Sequence, residues 1–252
     1  MSAIVECFHI PKSGKTKQRI PLKELLDQLA PSSKDKRILN SELGSINLEG
    51  VLDNQSLRVP AFKDDDYHYE AIYVLDVELK SYQHFTVINE KLHQSFPNPI
   101  IIIYHFSGKY ILSVAPKRVN KLDKEKSVIE GYYASDPFEL DGNHMSYLNK
   151  LDVNEIKGNH LKDLYDKLTD IIYSERLIAL IGAYPKLIIN TLQLKNIIKQ
   201  IENERTELNT LKEQYKQATM MSEKMDIHMQ ISNREQVVQK MIFQLKEELS
   251  NE

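Results

Sequence analysis

The sequence predicts an α+β fold, a small mixed sheet with flanking helices that is followed by a C-terminal helical coiled coil. The first part of the chain alternates strand-like and helix-like apolar patterns. All nine prolines lie at or before Pro185 and all eight glycines at or before Gly182, so the rest of the chain contains neither helix breaker. We therefore expect an α+β domain at 1–150, a helical connector at 151–192 and a coiled-coil segment at 193–252.

The strand pattern is clearest in the middle of the chain. Glu70–Lys80 places Tyr73, Leu75, Val77 and Leu79 on one face, which is the alternation of a β-strand. Ser107-Gly108 then provides a turn that predicts a β-hairpin. Further strands are expected at Ile4–Ile10, Ser45–Leu52, Ile100–Phe106 and Lys109–Ala115.

Helices are predicted between these strands. Pro21 suits the first turn of a helix, because proline lacks the amide hydrogen that has no partner there. The apolar residues of Leu161–Ile172 recur at helical spacing and predict an amphipathic helix. Two more helices are expected at Ser32–Leu43 and Tyr82–Ser95.

A heptad repeat of apolar residues begins at Leu194, and only Glu204 interrupts it over four heptads. The residues that we expect to mediate association are Leu194, Ile197, Ile201, Leu208 and Leu211. The repeat loses its phase after Ala218. Either one long helix carries a stutter, or the chain turns near Ala218–Ser222 and forms an antiparallel hairpin. We favour the hairpin, although the absence of glycine at the turn argues against it.

Composition narrows the class of protein. The net charge is −3, so no global field attracts the molecule to nucleic acid or to anionic lipid. Cys7 is the single cysteine, which excludes an internal disulfide and a cysteine-rich metal site. The longest apolar stretch, Pro99–Tyr104, is far too short for a membrane span, and the N-terminus lacks the apolar run of a signal peptide. We expect a cytoplasmic protein without a cofactor.

Two basic runs stand out against this mildly acidic background. The first 23 residues carry five basic side chains and one acidic side chain, and Lys109–Lys126 carries six basic and two acidic side chains. Clustered lysine and arginine side chains bind phosphate backbones. The candidates for nucleic-acid contact are Lys12, Lys15, Lys17, Arg19, Lys117 and Arg118. Solvated loops, or docking to an acidic protein partner, would explain the same runs.

The segment Asp76-Val77-Glu78-Leu79-Lys80 is the one that suggests catalysis. Asp76, Glu78 and Lys80 share one face of the predicted strand. PD-(D/E)xK nucleases use Glu-x-Lys at a strand end, where carboxylates hold Mg²⁺ and the lysine acts on the attacking water. A complete site needs an acid from a neighbouring strand, for which Asp53 is the candidate and Glu49 the other possibility. A strand that simply ends in solvent would look the same.

Several segments recur together in one order and spacing: Phe8–Ser13 with Lys17 and Ile20-Pro21, Glu70–Val74 with Glu78–Lys80, Phe96–Tyr104 and Tyr110–Val114. In these segments the chain resembles a bacterial family that is catalogued as a domain of unknown function. Members of the family are encoded beside helicases and DNA methyltransferases in restriction-modification and phage-defence islands. The resemblance implies an accessory or assembly subunit with a helicase or DNA methyltransferase as its partner. The alternative is a divalent-metal nuclease that uses Glu78, Lys80 and Asp53 with Mg²⁺.

Overall fold

The computed structural model describes residues 3–23, 32–123 and 127–250. Its contacts divide the chain into two compact units, Met1–Arg176 and Leu177–Glu252. The first unit contains a mixed six-stranded sheet with helices, and the second contains long helices, so the predicted α+β class is confirmed. The boundary between the units falls inside the predicted connector at 151–192. That the three predicted segments fold separately stays a prediction.

The first unit contains most of the secondary structure. Its described helices are α1 (Ala3–Cys7), α2 (Ser33–Glu42), α3 (Asn54–Leu57), α4 (Phe85–Ser95), α5 (Met145–Leu148) and α6 (Leu161–Ser174). Its longer strands are β1 (Lys15–Arg19), β2 (Leu43–Asp53), β5 (Ala71–Leu79), β6 (Ile100–Phe106) and β7 (Lys109–Val114). Its short strands are β3 (Phe62–Lys63), β4 (His68–Tyr69), β8 (Lys117–Val119), β9 (Ser127–Ile129) and β10 (Tyr133–Ala134).

The main sheet has the order β1-β2-β5-β6-β7-β10. Strands β5 and β6 are parallel, and the other neighbouring pairs are antiparallel. The parallel pair requires a crossover, which α4 provides. Because β5 has neighbours on both sides and is largely buried, apolar residues occupy both of its faces before Asp76, and the exposed acid Glu78 comes only near its end.

Both faces of the sheet are covered. One face packs under α2 and α4, around a buried cluster that includes Leu39, Leu75, Ile88, Leu92 and Ile102. On the opposite face, α6 contacts β5, β7 and β10. Tyr165 of α6 fixes this layer, because its hydroxyl donates to Ile100 O at 2.8 Å and accepts from Ala115 N at 2.9 Å.

The predicted elements in the middle of the chain are confirmed. Strands β2 and β5, the β6–β7 hairpin and helices α2, α4 and α6 lie where the patterns indicate. The strand expected at Ile4–Ile10 is wrong, because Ala3–Cys7 is helical. Ile4, Val5 and Phe8 are buried at positions i, i+1 and i+4, a spacing that places all three on one face of a helix. The helix expected from Pro21 runs into 24–31, which lie outside the described residues.

The second unit is built on a helical hairpin, as we favoured. Its helices are α7 (Leu177–Ile181), α8 (Thr191–Gln217) and α9 (Met221–Ser250), and α8 packs against α9. Asn190 caps α8, since its side chain accepts from Leu192 N at 2.9 Å. Helix α8 ends at Gln217, and its C-cap residue Ala218 has an extended backbone with φ of −61° and ψ of 134°. The turn therefore needs no left-handed residue there, which removes the objection that it lacks glycine.

Candidate functional site

Glu78 and Lys80 lie at the C-terminal end of β5, and both are exposed. Ser45 Oγ, at the start of β2, donates to Glu78 Oε2 at 3.1 Å. A Cβ on Gly44 would lie 2.8 Å from the same oxygen, so the glycine lets Glu78 extend over the neighbouring strand. The backbone of Lys80 is fixed by a hydrogen bond, in which its N–H donates to Glu42 O at 2.7 Å.

Asp53 lies at the other end of β5. Antiparallel pairing sets Asp53 opposite Ala71, which precedes Glu78 by seven residues, or roughly 23 Å along the strand. Its side chain caps α3 and accepts from Ser56 N at 2.8 Å. The structure therefore does not bring Asp53 to Glu78 and Lys80.

Other polar residues lie on the same face of the sheet as Glu78. Asp76 precedes it by two residues, and the parallel register pairs Glu78 with His105 of β6. His105 Nε2 is 3.7 Å from Asp76 Oδ1. No local pattern singles out His105, because it is the pairing of β6 with β5 that brings it to this face.

Glu49 completes a group that we call the carboxylate cluster, Glu49, Asp76 and Glu78. The β2–β5 register shifts between Leu48 and Gly50, so Glu49 lies in a β-bulge. It is 1% exposed, and its Oε2 has no hydrogen-bond partner among the described residues. Burial raises the pKa of the Glu49 carboxyl, and the negative charge of Asp76 raises this pKa further. The cluster therefore holds two buried carboxyl groups that repel each other when both are ionised.

The first basic run forms an exposed edge of the same sheet. Lys12 precedes β1, whereas Lys15, Lys17 and Arg19 lie in it; all four are exposed, and among the described strands β1 pairs only with β2. Arg19 pairs with Asn47, which in turn pairs with Asp76, so the basic strand flanks the carboxylate cluster. Lys15 Nζ is 3.4 Å from Glu6 Oε2, an exposed ion pair. The edge presents several cations in a row, as a phosphate backbone requires.

The second basic run is placed differently. Lys117 is 3% exposed, and its ammonium donates to the carbonyl oxygens of His93 at 2.7 Å, Asn98 at 3.1 Å and Phe96. Burial lowers the pKa of this ammonium to about 7. These carbonyl groups lie at and beyond the C-terminal end of α4, so Lys117 caps that helix. Lys117 cannot reach a phosphate in this arrangement, and Arg118 is half-buried.

The heptad residues lie in the α8–α9 hairpin. Leu194 and Ile201 are buried, and Ile197, Leu208 and Leu211 are half-buried. Glu204, the polar residue that interrupts the repeat, is paired with Arg234 of α9 at 2.5 Å. Arg234 also pairs with Glu207. The apolar seam is therefore covered, at least in part, by the second arm of the same chain.

A methionine-rich patch remains exposed beside the turn. We call it the methionine face; its side chains are between 61% and 74% exposed, and its members are Met220, Met221, Met225 and Met229. Met221, Met225 and Met229 are spaced by four residues and so lie along one side of α9. Methionine adapts its shape to different apolar surfaces and is frequent at binding surfaces. Exposed apolar groups of this kind are typical of protein interfaces.

Two further observations concern metal ligands and membrane spans in the described part of the chain. They contain no group of three or more His, Cys, Asp and Glu side chains that could hold a metal ion. None of their helices combines the length and the apolar character needed to cross a bilayer.

Comparison with known proteins gives a family but no activity. The chain matches no curated protein and no solved structure. A family described as Domain of unknown function (DUF4391) matches residues 8–237, which include the carboxylate cluster, the basic edge and most of the hairpin. Since this match spans most of the 252 residues, the chain belongs to the DUF4391 family.

Proposed function

We propose that this protein is an accessory subunit of a restriction-modification-like or phage-defence system, which contacts nucleic acid through β1 and a protein partner through its helical hairpin. The observation that supports the proposal best is the group of exposed basic side chains on the edge strand β1 and just before it, namely Lys12, Lys15, Lys17 and Arg19. The partner class that the family resemblance implies is a cytoplasmic helicase or DNA methyltransferase.

The chemistry of β1 suits contact with phosphate rather than with base edges. Lys17 and Arg19 are two residues apart in β1, which is roughly 6.6 Å in an extended strand, so we expect their two charges to reach one phosphate backbone. Such contacts position a protein on a duplex without reading its sequence. We therefore expect binding that depends strongly on salt and weakly on sequence.

The hairpin provides the surface for the protein partner. Because α9 covers the heptad seam, the methionine face is the apolar surface of the hairpin that we assign to association. This assignment differs from the sequence-based expectation, in which Leu208 and Leu211 contact the partner directly.

Binding to a fluorescent DNA duplex tests the nucleic-acid contact. Lys17→Ala/Arg19→Ala should weaken binding roughly tenfold near physiological salt, since each lost phosphate contact lowers the affinity for every sequence. Lys150→Ala/Lys157→Ala is the matched control, because it removes two exposed lysines that belong neither to β1 nor to the first basic run. Equal affinities of the two double variants would contradict the proposal.

A divalent-metal nuclease is the second candidate. It is favoured by the position of Glu78 and Lys80 at the end of a central strand, with Asp76 and His105 on the same face. We test it by plasmid cleavage with Mg²⁺ or Mn²⁺. Cleavage by the wild type that is lost in Glu78→Ala would establish the nuclease and overturn a purely accessory role. Absence of cleavage by the wild type would remove this candidate.

A further inference from the structure

Helix α9 has apolar residues on two sides, and the hairpin buries only one of them. Val238 and Leu245 are buried and lie on the same side of the helix, since seven residues make almost two turns. At roughly 100° per residue, Met225, Met229 and Phe243 lie on about the opposite side, where they are between 60% and 65% exposed. This second side extends the methionine face along the helix.

The second side has the period of a coiled coil. Its six positions are separated alternately by four and by three residues, as the a and d positions of heptads are. None of the six is charged, although nine of the 30 residues of α9 are. We call these positions the uncharged stripe; its members are Met225, Met229, Ser232, Gln236, Gln239 and Phe243.

The uncharged stripe is complementary to itself when two copies run in opposite directions. With the crossing point at residue 234, each position faces the one that lies equally far on the other side of that point. Met225 then faces Phe243 of the second copy, and a methionine sulfur beside an aromatic ring is a favourable contact. Ser232 faces Gln236, and a hydroxyl and an amide side chain can hydrogen-bond to each other.

The charges beside the stripe are complementary in the same register. Asp226 and Lys240, both exposed, border the stripe on one side, eight residues before and six residues after the crossing point. Asp226 of one copy therefore meets Lys240 of the second, and two-fold symmetry repeats this ion pair. On the other border Glu235 approaches Glu235 of the second copy. Lys212 Nζ of α8 lies 2.8 Å from Glu235 Oε1 and compensates that charge.

We propose that the protein forms a two-fold symmetric dimer in which the uncharged stripes of two α9 helices pair in antiparallel orientation. A surface that is complementary to itself gives a closed dimer. The paired stripes extend for about 27 Å, at 1.5 Å per residue. The inference rests on the proposed function, in which the hairpin mediates association, and identifies a second copy of this chain as the molecule that the methionine face binds.

Sedimentation of the full chain tests the dimer and its register. The wild type should have about twice the mass of one chain. Asp226→Lys and Lys240→Asp should each raise the dimer Kd roughly tenfold, because each variant places like charges at both symmetric pairs. An equimolar mixture of the two variants should restore the dimer, since every pair then joins a lysine to an aspartate. Glu248→Lys, an equal change of charge at an exposed acid of α9 outside the stripe, should dimerise as the wild type does.

A monomeric wild type would overturn the dimer. Variants that dimerise as tightly as the wild type, or that do not associate with each other when mixed, would overturn the antiparallel register. A wild type that is monomeric alone but joins a different co-expressed protein would overturn the dimer and leave the proposed function standing. Loss of the DNA contact would instead appear in the binding assay and leave the sedimentation unchanged.

Discussion

At the scale of single residues, Glu175 carries the clearest pH dependence. It follows α6 and is 4% exposed; its Oε2 accepts from Asp136 N at 2.7 Å, and its Oε1 is 3.3 Å from His144 Nε2. Burial is the main cause that raises the pKa of Glu175 from 4.5 to about 7. The folded chain therefore binds a proton that the unfolded chain releases between these values.

This difference in proton binding between the folded and the unfolded chain determines how the stability of the fold changes with pH. The protonated Glu175 stabilises the fold fully below about pH 4.5, and this contribution disappears as the pH rises to about 7. Between pH 5 and pH 8 the wild type should lose about 2 kcal/mol that Glu175→Gln does not lose. Urea unfolding of both proteins at the two pH values measures the difference, with exposed Glu139→Gln as the control. Parallel pH profiles for wild type and Glu175→Gln would contradict the expectation.

Residue type and spacing predicted only part of the candidate site. They singled out Glu78 and Lys80, because a charged strand end is visible in the alternation of β5. They did not distinguish Lys117 from Lys17, since the burial of Lys117 depends on carbonyl groups about 20 residues away in the chain. The bulge that buries Glu49 beside Asp76 arises from the pairing of β2 with β5, which no local pattern encodes.

At the scale of elements, the hairpin uses the heptad seam for its own packing. Glu204 interrupts the heptad pattern in the sequence. In the structure it forms an ion pair with Arg234, which joins the two arms of the hairpin. Like a polar residue at a coiled-coil core position, this pair can fix which arm lies against which and in what register. The seam therefore stabilises the hairpin, and the methionine face stays exposed.

Substitutions on the two surfaces should have different effects. Leu208→Glu/Leu211→Glu places two charges against α9 and should separate the arms, with a measurable loss of helicity by circular dichroism. Met225→Glu/Met229→Glu changes two exposed side chains and should keep the helicity. It should instead lower the mass of any assembly, alone or with the co-expressed partner, measured by light scattering.

The two double variants, Leu208→Glu/Leu211→Glu and Met225→Glu/Met229→Glu, are controls for each other. An assembly that survives Met225→Glu/Met229→Glu unchanged would show that the methionine face is not the association surface. A hairpin that keeps its helicity after Leu208→Glu/Leu211→Glu would show that the seam does not hold the arms together.

Helices and strands with a strong periodic pattern of apolar residues could be predicted from the sequence. Short helices and strands could not. The alternation in β5 and the period of α6 fix their type, and the breaker-free end of the chain indicated long helices. In Ile4–Ile10 the apolar residues are compatible with either type, and tertiary packing selects the helix. The choice between one long helix and a hairpin depended on Ala218, whose extended backbone has no signature in its residue type.

At the scale of the whole molecule, topology decides which distant residues share a site. The antiparallel pairing of β2 with β5 places Asp53 at one end of β5 and Glu78 at the other. The parallel pairing of β5 with β6 sets His105 beside Glu78. The α+β class was therefore predictable from composition and pattern, whereas the members of the site required the order and direction of the strands.

The central claim is that the basic edge strand β1 contacts the phosphate backbone of nucleic acid. The overall charge of −3 does not favour such contact, so it must come from a local surface. Each phosphate that a lysine or arginine neutralises releases counterions, and the salt dependence of the affinity counts these contacts.

The most direct test is the slope of log K against log salt for a DNA duplex. For Lys17→Ala/Arg19→Ala we expect a slope less negative than that of the wild type by about 1.8, which corresponds to two phosphate contacts on B-form DNA. Lys150→Ala/Lys157→Ala should keep the wild-type slope. An unchanged slope after Lys17→Ala/Arg19→Ala would contradict the assignment of β1 as the nucleic-acid contact.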